Sequence, residues 1–393
     1  MKILILSFYY QPDLSAGSFR ATSLVAALKA SAPEAEIQVV TTFPNRYRSF
    51  NVDASEAETV DGVSIRRIVL PQHRSGMLDQ SRAFLSFARE ASRMIRGETY
   101  DFVYATSSRL MTAALGAWIA WRMRVPLYLD IRDIFVDSIK DVLRPSQAVF
   151  VRPVFSILER WTIGQAQKVN LVSGGFRGYF ERRYPNQRFS YFTNGIDEEF
   201  LAVGPLLVSE VKHERPLVAV YAGNLGEGQG LHLILPELAK RTKGVVHFRV
   251  FGDGGKKDQL LRALEMVGVS NVELCAPVPR DRLIDEYEAA DILFLHLNNF
   301  EALRKVLPSK IFEYGALGKP IWAGIPGFSA EFVRSEIENA AVFPPCDTAA
   351  ALVALSTLTF ETRPRPAFVE KYSRDAICRE MAADILKAVN ECR

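Results

Sequence analysis

The strongest constraint on the fold is an alternation that runs the length of the chain. Short apolar runs of strand length ("KILILS", "IQVVTTF", "VSIRRIV", "DFVYAT", "PLYLDI", "KVNLVS", "FSYFTN") alternate with longer helix-period segments. From residue 216 the series starts again with "LVAVYAG", "HFRVFG", "VELCA", "DILFLHL", "PIWAG" and "AAVFP". Strands that are apolar throughout are buried on both faces, and the intervening helices supply the cover, so the pattern calls for parallel sheets. The restart predicts two doubly wound, Rossmann-like α/β lobes. Between them "EEFLAVGPLLVSEVKHERP" (198–216) reads as a linker. The expected division is 1–203, 204–366 and a last segment, 367–393. That segment follows the Pro-rich bend "ETRPRPAFVEKY", and its helix is expected to cross back onto the first lobe. Ligands in such sheets bind at the carboxyl ends of the strands, and in the cleft between lobes where there are two.

Composition narrows the function classes. A chain of 393 residues is long for a single core. Its net charge of +3 falls short of the basic excess of a nucleic-acid binder, so no nucleic-acid partner is expected. Cys275, Cys346, Cys378 and Cys392 have neither zinc-site nor disulfide-framework spacing, which fits a reducing, cytoplasmic setting. The N-terminal run "MKILILSFYYQP" is too short for a secretory signal and reads as a first buried strand. The most apolar stretch, "LMTAALGAWIAWRMRV" (110–125), is interrupted by Arg122 and Arg124 and reads as a buried helix rather than a span. Residues 82–96 set Phe84, Phe87, Ala88, Ala91, Met94 and Ile95 on one stripe, with Arg82, Arg89, Arg93 and Arg96 outside it. That helix either packs on its own sheet or lies against the inner face of a membrane.

Candidate chemistry gathers at strand-to-helix turns. "YAGNLGEGQGL" (221–231) places glycines 223, 226, 228 and 230 after a strand and before a helix. Such a loop is either a flexible turn or one whose backbone N–H groups approach an anion. "VFGDGGKKD" (250–258) is a second such turn, with Asp253 either exposed or facing a ligand. Asp291, at the end of "EYEAAD", reads as a turn or cap residue. In "LPSKIFEYGALGKP" (307–320), Pro308 suits a first helical turn, with Ser309 and Lys310 at the N-terminus. Glu313, one turn on, is either a solvent-exposed partner of Lys310 or a carboxylate that accepts two hydroxyl donors, as from a ribose or sugar.

In the first series, Asp130, Arg132, Asp133 and Asp137 crowd a strand's carboxyl end, as an ion-paired turn or a working cluster. Ser107, Ser108 and Arg109 after one strand, and Ser173 and Gly174 after another, are helix caps or cleft residues.

In this order the turns resemble the retaining glycosyltransferases of family 4, with their two-lobed GT-B architecture. "AGNLGEGQGL" resembles the donor-phosphate loop of that family, and "VFGDGG" its F-x-GxG turn. "AADILFLHL" is similar to its A-D-hydrophobic strand, and "FEYGALGKPI" to its E-A-x-A-x-G-x-P element. "YYQPDLSAGSFRA" resembles the acceptor-side loop, and "NGID" (194–197) the N-G-[VI]-D element. The match spans nearly the whole chain. It departs at Asn224 and Gln229, where the family commonly has Arg and Lys, and at Lys305, where the first Glu of an E-x7-E pair would stand.

A bacterial polysaccharide branch shares the G-N-x-G loop and the P-S-K before the Glu. Its R-D-L-W-P-like element appears here as "DIRDIFVDSIKD", with Phe135 and Val136 in place of Trp-Pro. That branch implies transfer of N-acetylated amino sugars from UDP donors to glycan or lipid-linked acceptors, with no metal or other cofactor. The resemblance implies Gly223, Asn224, Gly226, Gln229, Gly252 and Asp253 around the donor diphosphate. It makes Ser309 and Lys310 a phosphate clamp and Glu313 the ribose ligand. Asp133, with Arg132 in place of a His, falls on the catalytic side, and Gly17, Ser107 and Ser108 on the acceptor side. A non-catalytic scaffold or ligand-binding protein and a nucleotide-sugar epimerase are the alternatives.

Overall fold

Two sheets take up the two series of apolar runs. The computed structural model describes residues 1–13, 15–44, 54–70, 77–107, 110–134, 136, 145–202 and 215–391, with backbone alone at 77–80 and 145–150. The chain forms two units, Met1–Asn194 with Arg374–Arg393, and Gly195–Ser373.

In the first unit the strands are β1 (Lys2–Leu6), β2 (Glu36–Thr42), β3 (Ala57–Val60), β4 (Val63–Ile68), β5 (Phe102–Thr106), β6 (Leu127–Ile131), β7 (Lys168–Leu171) and β8 (Phe189–Ser190). Their order is β3-β4-β2-β1-β5-β6-β7-β8. All pairs are parallel except β3–β4, an antiparallel hairpin at the edge. The order reverses at β1, whose Ile3 lies opposite both Ile37 and Phe102. Burial is near complete along β1, β5 and β6, as two-sided cover requires.

The second unit holds β9 (Leu217–Ala222), β10 (Val246–Phe251), β11 (Val272–Cys275), β12 (Ile292–His296), β13 (Ile321–Gly324) and β14 (Ala340–Phe343). Their order is β11-β10-β9-β12-β13-β14, all parallel, with the switch point between β9 and β12. Aromatic side chains fill the core beneath it. Phe248, Phe294 and Phe343 surround Trp322 at centroid distances of 6.1, 5.3 and 6.0 Å, and the Trp322 indole N–H donates to the Ala351 carbonyl at 2.9 Å.

The divisions fall at 194/195 and 373/374 rather than at 203/204 and 366/367. Helix Pro366–Tyr372 stays with the second unit because Phe368 stacks on Phe312 at 6.3 Å, Tyr372 meets it edge-on at 5.4 Å, and Ile196 N–H donates to the Tyr372 carbonyl at 2.8 Å. Helix Arg374–Asn390 returns to the first unit. Its Cys378, Met381, Ala382, Ile385, Ala388 and Val389 enter that unit's core beside Ile3, Leu24, Leu28 and Tyr104.

Helix Met77–Met94 packs on its own unit. Phe84, Phe87 and Ala91 are buried, with Ile95 just beyond the helix end, and Phe87 meets Phe8 at 5.2 Å. Its apolar stripe is thereby spent internally, and Arg82, Arg89 and Arg93 face outward, as does Arg96 beyond the helix. Residues 110–123 form the expected buried helix, and among the described residues no helix is long and apolar enough to cross a membrane.

Candidate active site

In the second unit the two glycine turns interlock. Gly223 leaves β9 with φ 148°, and its N–H donates to Phe251 O at 2.8 Å; Leu225 N–H donates to Asp253 O at 2.8 Å. A Cβ on Gly252 would lie 1.9 Å from the Gly223 carbonyl oxygen, so only glycine lets the turns after β9 and β10 touch. Asp253 accepts from the N–H of Gly254 at 2.8 Å, as a turn residue does. Asn224 Nδ2 donates to Gln229 Oε1 at 2.9 Å, closing the loop across Gly226. Helix Leu231–Arg241 follows, with Gly230 as its left-handed cap.

Helix Lys310–Ala316 brings the third group. Ser309 stands at its N-cap and Pro308 just before it, the Pro308 carbonyl accepting from Ile311 N–H at 3.2 Å. Lys310 reaches the first turn. A Cβ on Gly223 would lie 2.3 Å from Lys310 Nζ, so the ammonium sits directly over that glycine. It also stands 5.9 Å from the Tyr221 ring centroid. Ser309, Lys310 and Glu313 are half-buried, while Phe312 and Tyr314 of the same helix are fully buried. Arg280 lies within the electrostatic reach of Glu313. Burial works against its positive charge, but Asp197 and then Glu313 outweigh burial and raise its pKa. Asp197, from "NGID", is thus the ion-pair partner of Arg280.

The far end of that short helix is fixed by Arg365. It donates to the carbonyls of Tyr314 (3.4 Å), Gly315 (3.2 Å), Lys319 (3.0 Å) and Glu338 (2.7 Å), closing the orphan acceptors of a helix C-terminus. Burial pushes the Arg365 guanidinium down to about 10. Gly315 has no side chain because Phe368 occupies the place, 2.3 Å from where a Cβ would be.

At the carboxyl edge of the first unit's sheet, the acidic cluster separates into parts. Asp130 is fully buried and accepts from Arg20 Nε (2.8 Å) and Nη2 (3.1 Å), Tyr104 OH (3.0 Å) and Asn170 Nδ2 (2.7 Å). Burial alone would raise its pKa, and Arg20 more than reverses that. Asp130 is therefore a structural anchor. Ser107 Oγ accepts from the Arg132 N–H at 2.9 Å, joining the ends of β5 and β6. Arg132 is half-buried, and its Nη1 finds no hydrogen-bond partner among the described residues. Asp133 is exposed. Gly17 lies in the first turn of helix Ala16–Ser31, capped by Ser15 Oγ accepting from Ser18 N–H at 3.2 Å. Ser108, Arg109, Phe135 and Asp137 lie outside the described residues.

Comparison with known proteins fits this geometry. The glycosyl transferase 4-like domain matches residues 17–195, and the glycosyl transferases group 1 domain matches residues 207–375. The chain is a glycosyltransferase of the GT-B type. Sucrose-phosphate synthase from Thermosynechococcus elongatus superposes with a TM-score of 0.73 at 14% identity, covering 100% of this chain and 99% of that one. HepE from Anabaena, solved in complex with UDP and glucose, gives 0.67 at 16% identity, covering 98% and 99%. Trehalose-6-phosphate synthase from Burkholderia multivorans gives 0.68 at 10%, covering 100% and 97%. No curated protein matches the sequence.

Three residues of this glycosyltransferase escaped the sequence reading. His296, at the end of β12, is fully buried; its Nδ1 donates to Gln229 O at 2.7 Å and its Nε2 accepts from Cys346 N–H at 3.0 Å. Burial pushes its pKa down to about 4, which keeps the ring neutral as both bonds require. Arg280 and Arg365 were the others. The only sequence signal for His296 was a polar residue closing an otherwise apolar strand at the switch point. Asp291 sits at the opposite, amino end of β12, holding Val218 N–H (2.8 Å) and Arg215 (2.8 Å), in keeping with a turn residue.

Proposed function

We propose that this glycosyltransferase moves a sugar from a UDP-sugar donor to a glycan or lipid-linked acceptor with retention of anomeric configuration. The donor class suggested by the P-S-K resemblance is an N-acetylated amino sugar, and the setting is cell-surface polysaccharide synthesis at the cytoplasmic side. The observation that carries the donor half is the Lys310 ammonium seated over Gly223. A diphosphate laid on the β9 turn meets that ammonium and the amino end of helix Leu231–Arg241, both of which favour negative charge. The UDP held by HepE, a structural neighbour, supports the same choice of nucleotide.

In this reading Glu313 accepts the ribose hydroxyls, and Asn224 and Gln229 hold the loop closed through their mutual amide bond. As the glycosidic oxygen departs with the diphosphate, Lys310 and the loop N–H groups take up the developing charge, so the leaving group needs no metal. Asp133 orients the acceptor hydroxyl or assists its proton, and Arg132, beside Ser107, offers an anion contact at the first unit's sheet edge.

The test is thermal stabilisation of the full chain by UDP with and without EDTA, followed by hydrolysis of a UDP-sugar panel and the anomeric configuration of the released or transferred sugar. Stabilisation that survives EDTA, with slow hydrolysis of one donor, supports the proposal. Silence toward every nucleotide sinks it, and UDP binding without turnover of any donor returns the non-catalytic reading.

A further inference from the structure

Tyr221, the penultimate residue of β9, brings a ring and a hydroxyl to the foot of the first glycine turn, and the donor reading uses neither. The residue is buried with Leu225 and Leu231 in the core cluster of the second unit. A buried phenol needs a partner for its O–H. Tyr221 finds one three residues on, donating to the Asn224 carbonyl at 2.8 Å. The strand thus holds its own glycine loop through a side chain.

The ring has a second neighbour. Lys310 Nζ stands 5.9 Å from its centroid, inside the range at which an aromatic quadrupole attracts a cation. The place of the missing Gly223 side chain locates both groups. A Cβ there would lie 2.3 Å from Lys310 Nζ, 2.6 Å from Lys310 Cε and 3.4 Å from the Tyr221 hydroxyl oxygen. Ammonium and phenol therefore converge on one point above the glycine. A lysine stem has four torsions, and holding its ammonium in one place costs rotamer entropy. The ring attraction offsets that cost, and it grows as water is excluded; here the ring is buried and Lys310 half-buried. A leucine would fill the same core but offers neither a π face nor a hydroxyl.

We infer that Tyr221 is a positioning residue of the donor site, its ring holding the Lys310 ammonium over Gly223 and its hydroxyl holding the Asn224 carbonyl. In this role it acts through Lys310 and the loop, without touching the donor. Both are set before a diphosphate arrives, so binding costs less in ordering them. The inference rests on the reading of Lys310 as the phosphate ligand.

The experiment is calorimetric titration of UDP and of uridine into the full chain with a graded ring at position 221. Tyr221→Phe is the starting point. Phenylalanines carrying one, two and three ring fluorines follow, incorporated site-specifically, because fluorine drains the ring quadrupole with little change of shape. UDP affinity should fall step by step, by roughly three- to thirtyfold from the plain to the trifluorinated ring, while uridine affinity stays level. In a Lys310→Met background the same series should be flat. A flat series in the chain that keeps Lys310, or equal slopes with and without it, overturns the inference, since a ring that only fills the core would give one or the other. Tyr221→Phe alone should weaken UDP binding about two- to tenfold and speed amide exchange at residues 225–230. Exchange at the wild-type rate would remove the hydroxyl from the role. If Lys310→Met itself leaves UDP affinity unchanged, the donor reading falls and the inference with it. A weakened Lys310→Met beside a flat series strikes the inference alone.

Discussion

Asn224 and Gln229 satisfy each other amide to amide, and neither brings a charge to the loop they close. The positive charge over the β9 turn comes from Lys310, on another element. In the proposed site Lys310 meets phosphate and Glu313 meets ribose, so their removal has different signatures. Lys310→Met should cost about 1.5–3 kcal/mol toward UDP, roughly ten- to hundredfold in Kd, and leave uridine affinity unchanged. Glu313→Ala should weaken UDP and uridine alike. Calorimetric titration of both ligands separates the two, and equal affinities across all three proteins would remove both residues from the site.

Asp130 presents the contrary case. Its side chain is enclosed by Arg20, Tyr104 and Asn170, so its contribution is to folding. Arg20→Leu leaves that buried carboxylate uncompensated and should cost about 3–5 kcal/mol in denaturant unfolding. A loss under 1 kcal/mol would show that the pair is not the anchor described.

Elements place these residues, and two of the placements are testable. Gly315 lets helix Pro366–Tyr372 press its Phe368 ring against the helix that carries Lys310 and Glu313. Gly315→Ala overpacks that contact and should destabilise by about 1–3 kcal/mol while weakening UDP binding. Phe368→Leu added to it should recover most of both losses; failure to recover either would detach the helix position from the contact.

His296 ties the β9 loop to Cys346 only while neutral. Its folded pKa, about 4, lies below the unfolded value near 6.5, so its contribution is complete above pH 6.5 and is lost as pH falls toward 4. Between pH 7 and pH 5 this amounts to about 2 kcal/mol, with His232, shifted the same way by burial, adding to it. Urea unfolding should show that slope flattened in His296→Leu, and an unchanged slope would assign it to other groups.

The same elements show what was legible in the sequence. Apolar runs announce buried parallel strands directly, because two-sided burial leaves no polar alternation, and the restart at residue 216 announced the second sheet. β3 was missed because "AETV" is short, polar and at the sheet edge. The Asp-Gly that follows it, both residues at positive φ (51° and 74°), was the available hairpin signal. Lys310 and Glu313 stood out because charge within an apolar helix pattern is conspicuous. Arg365 and Arg280 did not, since their partners are backbone carbonyls 27 to 51 residues away in sequence and a carboxylate 83 residues away.

At the scale of the whole molecule, the chain passes from the first unit to the second after Asn194 and returns after Ser373. The returning helix, Arg374–Asn390, is continuous with the first unit's core: Met381 and Ile385 are fully buried there, and Asp384 accepts from Tyr128 OH at 2.9 Å and pairs with Lys168. Each large apolar side chain so buried contributes about 1.5–3 kcal/mol, and a domain's net stability is only about 5–15 kcal/mol. Losing this helix therefore removes more than the first unit can spare. A chain ending at Ser373 should lose cooperative hydrogen-exchange protection in β1, β2 and β5. The donor groups argued above, by contrast, all lie within Gly195–Ser373, so UDP should still protect the β9 and β10 turns of the shortened chain. Protection of β1 that persists would mean the first unit's core closes without the helix. Simultaneous loss in both units would mean that the second depends on the first for its fold. The expected pattern, one unit open and the other still answering to UDP, locates nucleotide binding in the second unit without any change to its residues.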